Sequence, residues 1–572
     1  MLNYGKLSSA NDLNWYTDDP ILTRYAKRYL PPAVLSYLEE TFQATGKLVA
    51  GPMDRRAVHT DREGQPRLIR YNKKGEEINE VWYNEGYLQT VRDGYGTGVV
   101  GLRYDENAPE KVPFLANGIL FYLLTETECG FTCPVALTQS VAFVLEKFGT
   151  EEQKRTYLTR LASIDPDVME QGGTFLTEIQ GGSDVGATKT VAVAEGDHYL
   201  LTGEKWFASN CDAEISITLA RVNEKKSTAG LGLFLLPRTL PDGTRNPGIS
   251  IRRLKDKLGV RAVASGELVL NNAVGYLIGT LDHGFKYMAE ALNVSRLDTA
   301  LGGLAIARRA FLEAAVYTSQ REAFGNVVAR YPMVQETLAN LITEIEAGWA
   351  MAAQMISKFD QVHTYNTGTQ DDYLLMRILL SLGKTRLSDL GVTAARQSLE
   401  LHGGNGYIEE YVTPRLLRDA IVNPVWEGTA NIQALEVLKT LHRGGAAPFV
   451  ADLQATLASL EHPALKKLHP QLSAEVARAQ ELISHVLQQD QRQQTALAKK
   501  LADFMYDVYT AVHLAEEAQY DLLNSGDGRR LLAAEQWVKL VFSKDADRGI
   551  LSGEVLTDEQ FEALVAFGTW SV

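Results

Sequence analysis

The sequence contains 572 residues, of which 45% are hydrophobic and 22% are charged, as in ordinary folded globular proteins. A chain of this length is expected to form about two to four domains. The formal net charge of −14 argues against a general affinity for nucleic acid or anionic membranes, because those partners favour a basic surface.

Cysteine spacing and the length of apolar runs indicate the compartment of the protein and whether it spans a membrane. Cys129, Cys133 and Cys211 form no CxxC pair, no disulfide framework and no zinc spacing, which predicts a reducing compartment and no metal site. The N-terminus lacks the apolar core of a signal peptide, and the apolar run from Val112 to Leu124 is too short to cross a bilayer. We therefore expect a soluble, cytoplasmic protein without a membrane span.

Residues 1–168 are predicted to form a mainly helical N-terminal domain. A Pro-initiated helix is expected at Pro31, and Thr150 followed by acidic residues is typical of a helix N-cap. The polar stretch at residues 51–80 predicts a surface loop or a short hairpin.

Residues 169–282 are predicted to form a β-domain. Short runs of β-branched and aromatic residues alternate there with turn residues such as Gly181 and Gly182. Many short strands at this spacing suggest a compact β-barrel or sandwich. No GxGxxG motif lies between a strand and a helix, which disfavours a nicotinamide-binding fold.

Residues 283–442 return to a helical period and predict a helical bundle. After Arg443 a Gly-rich sequence predicts a flexible break, and residues 443–572 predict an extra, acidic helical extension. The chain as a whole is therefore predicted to be α+β. Three long helices of the bundle are expected at residues 331–360, 370–402 and 428–443.

The stretch at residues 423–433 carries the clearest candidate for catalysis. Glu427 follows the aromatic residue Trp426. An apolar wall penalises the charge of a carboxylate and so raises its pKa toward the range in which it can act as a general base. The alternative is an ordinary helix start, since an acidic residue in a first turn complements the helix dipole. These residues alone favour the helix start.

Five motifs follow one another along residues 110–440: Leu176-Thr-Glu-Ile-Gln-Gly-Gly-Ser-Asp-Val185, Lys205-Trp-Phe-Ala-Ser-Asn210, Arg321-Glu-Ala-Phe-Gly325, Gly403-Gly-Asn-Gly-Tyr407 and Trp426-Glu-Gly-Thr429. In this order, on a helical–β–helical layout, they resemble the signatures of the acyl-CoA dehydrogenase flavoprotein family. The length of the chain and three further segments, at residues 70–77, 240–246 and 253–259, resemble the long bacterial form of its AidB-type branch.

The resemblance implies FAD-dependent α,β-dehydrogenation of an acyl-CoA thioester, in which a base removes the α-proton while the β-hydride moves to flavin N5. Glu427 matches the base position, and its backbone N–H would hold the thioester oxygen together with a flavin hydroxyl. Trp426 and Gly428 would line the substrate pocket. Isovaleryl-CoA enzymes take their base from the position of Ser295, which cannot serve, so the base is expected at Glu427.

The resemblance also implies a flavin site built from two segments. The β-segment would contribute Leu176, Thr177, Gly182, Ser183, Trp206, Ala208 and Ser209. The helical segment would contribute Arg321, Phe324, Glu400, Gly403, Gly404, Thr429 and Asn431, with Arg321 and Phe324 reaching the flavin of a neighbouring subunit. The alternatives are a capped Gly-rich turn, a core Trp and a surface Arg.

Some positions depart from the family pattern. Ala208 replaces the Thr or Ser that bonds flavin N5, so Ser209 or a backbone N–H is the expected substitute. Pro332 and Glu400 replace glutamines near the adenine and the diphosphate. For CoA, the resemblance implies contacts from Ser183, Arg261 and Arg296, while Val263 stands at a polar position of the family.

The implied partners are an acyl-CoA substrate and an electron-transfer flavoprotein as electron acceptor, within fatty acid β-oxidation. Because the adenine half of the flavin site is shared, a homodimer or homotetramer is expected. No nucleic acid is expected. Two alternatives remain: an AidB-like, DNA-associated alkylation-response flavoprotein with weak dehydrogenase activity, and a flavin oxidase on the same scaffold.

Overall fold

The computed structural model describes residues 2–543 and 556–570, and it contains two compact units. The bundle unit comprises Met1–Ala50, Pro113–Leu115 and Ala300–Val572, and the sheet unit comprises Gly51–Val112 and Ala116–Thr299. The N-terminal segment is thus shared, because residues 1–50 pack with the C-terminal helices. The predicted division at residues 168, 282 and 442 stays a prediction.

The described helices account for most of the bundle unit and for the flank of the sheet unit. They are α1 (Pro20–Tyr29), α2 (Pro32–Leu48), α3 (Asp54–Arg62), α4 (Glu85–Gly96), α5 (Phe114–Thr127), α6 (Cys129–Phe148), α7 (Glu151–Gln153), α8 (Thr159–Leu161), α9 (Gly284–Gln320), α10 (Pro332–Phe359), α11 (Gln370–Leu401), α12 (Thr413–Ala420), α13 (Ala430–Thr440), α14 (Ala446–Ala458), α15 (His469–Leu487), α16 (Gln491–Ser525), α17 (Arg529–Phe542) and α18 (Asp558–Val565).

The described strands form one large sheet and two hairpins. They are β1 (Arg67–Tyr71), β2 (Glu77–Trp82), β3 (Gly172–Phe175), β4 (Val191–Glu195), β5 (His198–Ser209), β6 (Ile215–Arg221), β7 (Leu231–Pro237), β8 (Ile249–Leu254), β9 (Ser265–Leu277), β10 (Glu322–Ala323) and β11 (Asn326–Val327).

The large sheet has seven strands in the order β3-β6-β4-β5-β9-β7, with β8 on β9 and an additional pairing of β6 with β7. Nearly every residue of β6 and β7 is buried, so both faces of these strands are covered, and β7 is a continuous apolar run. Leu201, Phe234 and Leu268 belong to the core of the sheet. The predicted β-domain is therefore present, and its closure into a barrel stays a prediction.

The N-terminal elements follow local signals, with one exception. Thr150 forms a reciprocal capping box with Gln153, as its acidic first turn predicts. Strands β1 and β2 pair as the expected hairpin, with its turn at residues 72–76. Helix α3 was not predicted, because residues 51–80 were expected to form a loop or hairpin. The helix is mostly polar, and the face that it buries consists of small residues such as Ala57 and Thr60.

Helices α10, α11, α13 and α16 pack against one another in the bundle unit, so the C-terminal extension is part of the bundle. Arg530 is fully buried and bonds Glu517 at 2.8 Å and Glu346 at 3.3 Å, which ties α17 to α16 and α10. The predicted flexible break after Arg443 is wrong. The chain only kinks at Gly444, whose φ of 101° suits glycine, and α14 begins two residues later.

Helix α6 is long and apolar enough to cross a membrane, yet 89% of its most apolar stretch is buried inside the protein. A helix of this kind is weak evidence for a span, because core helices have the same composition. The three cysteines are buried and form no disulfide bond with one another. Within residues 2–543 and 556–570, no group of three or more His, Cys, Asp or Glu side chains could hold a metal ion.

We expect Gly303→Ala to destabilise the protein by about 1–3 kcal/mol, the usual cost of overpacking a core. A methyl group at Gly303 on α9 would collide with the carbonyl of Leu387 on α11, and both helices would have to move apart. Urea unfolding measures the change. Gly96→Ala on α4 is the control, because its added methyl group would meet open space, and an equal loss in both variants would contradict the close approach.

Candidate functional site

The turn that carries Glu427 lies just before α13 rather than inside it. The N–H groups of Val425 and Trp426 donate to the carbonyl of Val422, which closes a tight turn. Glu427 and Gly428 then adopt left-handed backbone angles, with φ of 56° and 96°. The expected helix start is therefore wrong for Glu427, because the helix begins at residue 430, after this turn.

Two buried side chains hold the carbonyl groups of this turn. Lys384 on α11 donates from Nζ to the Gly428 carbonyl at 2.7 Å. Gln433 on α13 donates from Nε2 to the Glu427 carbonyl at 2.7 Å. A left-handed conformation is costly for a residue with a side chain, and it persists where the surroundings impose it. Lys384 and Gln433 contact two consecutive carbonyl groups of this turn.

Trp426 and Glu427 are both partly exposed, so this turn faces accessible space. The indole Nε1 of Trp426 is buried and has no hydrogen-bond partner among the described residues. A buried N–H of this kind is usually satisfied, so it marks a position where a bound molecule could accept a hydrogen bond. The candidate base thus stands beside an apolar ring and an unsatisfied donor.

A second group of predicted residues meets elsewhere in the bundle unit. Gly403 has φ of 60°, and a methyl group added there would lie 3.1 Å from Nη1 of Arg321. Gly404 faces open space. A guanidinium beside a close-lying glycine backbone is an arrangement that suits a diphosphate. Phe324, at the tip of the β10–β11 hairpin, is 99% exposed.

Sequence reasoning missed the residues that support this group. The ring of Tyr317 stacks on His402 with centroids 4.2 Å apart, and Nδ2 of Asn405 donates to the Tyr317 hydroxyl at 3.0 Å. Burial lowers the pKa of His402, which favours the neutral ring. Tyr317 lies one helical turn before Arg321 in the sequence, and this spacing could have indicated that its ring supports the arginine.

The remaining predicted residues of the bundle unit are less closely grouped. Glu400 pairs with Arg396 at 2.5 Å along α11, so its charge is directed toward its own helix. Thr429 is the N-cap position of α13 but makes no side-chain capping bond. Thr429 and Asn431 are both exposed.

In the sheet unit, the structure brings Thr177 and Trp206 together. The N–H of Trp206 donates to the Thr177 carbonyl at 2.9 Å. A methyl group at Gly182 would lie 2.5 Å from Oγ1 of Thr177, so the glycine loop packs closely on this residue. Leu176 is partly buried and Ser183 is exposed at the same loop.

The two residues after the Trp206–Phe207 pair differ in their surroundings. Ala208 is buried in the sheet core, so it can offer a ligand only backbone groups. The hydroxyl of Ser209 lies 3.1 Å from that of Ser265. Lys255, which the sequence did not single out, places Nζ 3.5 Å from the centre of the Trp206 ring, a cation–π contact.

Next to Thr177 lies a buried ion pair that sequence reasoning also missed. Lys205 Nζ bonds Glu178 Oε1 at 2.9 Å, and both side chains are buried. Burial raises the pKa of Glu178, but Lys205 and hydrogen bonds from Thr190 and Lys189 outweigh it and lower the pKa to about 2. The pair fixes the strand end that presents Thr177.

The two arginines predicted for CoA lie in the sheet unit. Arg261 donates from Nε to the Lys257 carbonyl at 3.3 Å and is partly exposed. Arg296 lies on α9 and is partly exposed. Contact of Arg261 and Arg296 with CoA stays a prediction.

Three family models match the chain in order. They are the adaptive response protein AidB N-terminal domain at residues 6–167, the acyl-CoA dehydrogenase middle domain at residues 173–273 and the acyl-CoA dehydrogenase C-terminal domain at residues 282–442. An acyl-CoA dehydrogenase of Bacillus subtilis is 33% identical over 303 residues, which cover 52% of this chain and 74% of that protein.

The chain belongs to the acyl-CoA dehydrogenase family. It is similar to AidB of Escherichia coli, with 29% identity over 483 residues that cover 81% of this chain and 87% of that protein. The crystal structure of Caenorhabditis elegans ACDH-11 in complex with C11-CoA aligns with a TM-score of 0.85 and 25% identity, over 94% of this chain and 93% of that one.

These matches confirm the family that the motifs predicted and the AidB-type branch that the chain length and the three further segments predicted. The protein is an oxidoreductase, and FAD, the cofactor of the family, is confirmed as the predicted cofactor. The Arg321–Gly403 group and the Thr177–Trp206 pair fit this cofactor, because they offer a cation beside close-lying backbone and an aromatic wall beside a hydroxyl.

We expect Glu178→Gln to lower the free energy of unfolding by about 3–5 kcal/mol at neutral pH, since it leaves the Lys205 ammonium buried without its partner. The folded-state pKa of Glu178 is lowered, so the stabilisation is present above pH 4.5 and is lost as pH falls toward about 2. Unfolding measured at pH 7 and pH 3 should show the difference between wild type and variant shrinking. A constant difference would contradict the ion pair.

Proposed function

We propose that this protein catalyses the α,β-dehydrogenation of an acyl-CoA thioester, with Glu427 as the base. The observation that carries the proposal is the turn at Glu427: a partly exposed carboxylate beside Trp426, on a left-handed backbone fixed by Lys384 and Gln433. A base must be held within reach of the proton it removes, and this turn is held from two sides.

Each residue of the turn has a defined task in this reaction. Glu427 accepts the α-proton, and its backbone N–H donates to the thioester oxygen as negative charge develops there. Trp426 excludes water and keeps the carboxylate in apolar surroundings. FAD, when bound, supplies the acceptor for the β-hydride at N5.

The cofactor would be held by residues that the structure groups in each unit. Arg321, Gly403 and Gly404 would bind the diphosphate, while Thr177 and Trp206 would contact the flavin ring. Phe324 beside Arg321 is almost fully exposed, which supports a contribution to the flavin site of a second subunit and hence a homodimer or homotetramer.

The substrate and the electron acceptor are also part of the proposal. C11-CoA is the ligand of ACDH-11, which supports an acyl-CoA here, with Ser183, Arg261, Arg296 and Gly428 as further contacts. We propose an electron-transfer flavoprotein as acceptor, a role in fatty acid β-oxidation and a cytoplasmic location.

We expect Glu427→Gln to abolish reduction of the flavin while leaving FAD bound, because the amide cannot accept the α-proton but has nearly the same shape. Anaerobic mixing with acyl-CoAs of short to very long chain length, followed by flavin bleaching, measures this. The wild type should bleach with at least one of them, and the variant should be slower by about 10³-fold or more.

Glu410→Gln is the matched control, because Glu410 is an exposed glutamate in the same bundle unit and should leave bleaching unchanged. Failure of the wild-type protein to bleach with any chain length would contradict the proposed function. Bleaching by Glu427→Gln at the wild-type rate would instead assign the base to another residue.

A second candidate function is a DNA-associated, alkylation-response role. The observation that favours it is the match of residues 6–167 to the AidB N-terminal domain. The net charge of −14 opposes it, because DNA affinity arises largely from neutralised phosphates. We therefore expect no salt-sensitive binding of duplex DNA at sub-micromolar protein in a filter-binding titration, and such binding would favour this second function.

A further inference from the structure

Lys384 is a charged side chain in an unusual place. It is 0% exposed, in the middle of α11, where Leu382, Leu387 and Met376 belong to the apolar core. Lysines are almost never fully buried unless their ammonium group is paired, because burial removes the hydration of the charge. An apolar residue would fill the same position at lower cost, so the ammonium has a role that packing does not supply.

One contact of that ammonium lies at the turn that carries Glu427. Its 2.7 Å hydrogen bond goes to the Gly428 carbonyl, the residue directly after Glu427. A hydrogen bond from a charged donor is about twice as strong as one between neutral groups. The amide of Gln433, 1% exposed, holds the preceding carbonyl of Glu427 at 2.7 Å. Consecutive carbonyl groups of the turn are therefore held by donors from α11 and α13.

The backbone of the turn explains why such donors are needed. Glu427 has φ of 56°, a conformation that residues with a Cβ seldom adopt without external support. In a trans peptide the carbonyl and the N–H point in opposite directions, so fixing a carbonyl also fixes the N–H across the same bond. The Gln433 amide thus fixes the peptide plane between Glu427 and Gly428, and the Lys384 ammonium fixes the next plane, so the chain that leaves Glu427 is constrained over two consecutive peptides.

We propose that Lys384 is a positioning residue for the base: its buried ammonium, through the Gly428 carbonyl, holds Glu427 in the left-handed conformation from which the carboxylate reaches the substrate. This inference rests on the proposed function of Glu427. Lys384 itself does not touch the substrate. A displacement of about 1 Å in a reacting group can lower a rate by about 100-fold, so a positioning residue acts strongly from a distance.

Lys384→Met tests this role, because methionine has a similar shape and lacks the donor. We expect the rate of flavin bleaching at saturating acyl-CoA to fall about 10- to 100-fold per bound flavin, while FAD content and the Kd for acyl-CoA stay within about twofold of wild type. Exchange of the substrate α-hydrogens with deuterated solvent should fall by the same factor, since it reports removal of the α-proton.

Ser388→Ala is the matched control. Ser388 lies one turn further along α11, is equally buried, and donates to the Lys384 carbonyl rather than to the turn at Glu427. We expect it to retain wild-type bleaching and exchange. Gln433→Leu removes the second donor and should reproduce the selective loss of rate even if Lys384→Met folds poorly.

The outcomes separate this inference from the function on which it rests. If wild type does not bleach with any acyl-CoA, the proposed function fails. If wild type bleaches and Lys384→Met does so equally fast per bound flavin, the positioning role is contradicted and the function stands. Loss of FAD or of folded protein in both Lys384→Met and Gln433→Leu would assign both donors to stability and overturn the inference.

Discussion

Hydrogen bonds from two buried donors hold the turn on which the proposed catalysis depends. Lys384 and Gln433 reach the carbonyls of Gly428 and Glu427 from neighbouring helices of the bundle unit. Without them a left-handed glutamate would relax toward an ordinary conformation, because the strained one costs on the order of 1–3 kcal/mol. Side chains from two regular helices thereby hold a short irregular turn in one conformation. These side chains do not themselves take part in the proposed reaction.

Buried contacts also support the predicted ligand-binding residues Arg321, Gly403 and Thr177. In the bundle unit, the Tyr317–His402 stack supports the Arg321–Gly403 group. In the sheet unit, the buried pair of Glu178 and Lys205 fixes the end of the segment that presents Thr177. In both cases a group that a ligand could meet is backed by contacts between side chains of neighbouring segments. Such support is what a site needs if its groups are to be in place before the substrate arrives.

Sequence alone predicted the layers and the motifs, and it missed what depends on tertiary contacts. Strand periodicity and the Thr150 cap are local signals, and the structure confirms them. The position of Glu427 ahead of its helix was not predictable, because the carbonyl groups of its turn accept hydrogen bonds from side chains 44 and 6 residues away in the chain. Lys384 looked like any lysine in a long helix, since nothing in its neighbours reveals complete burial. The kink at Gly444 was mistaken for a break because the surrounding glycines resemble a linker.

A crystal structure of the FAD-loaded protein with a bound acyl-CoA would test the central claim most directly. We expect the Glu427 carboxylate within about 3–3.5 Å of the α-carbon, on a left-handed backbone with the hydrogen bonds from Lys384 and Gln433 to the turn intact. A carboxylate turned away from the substrate, or a different base at the α-carbon, would contradict it.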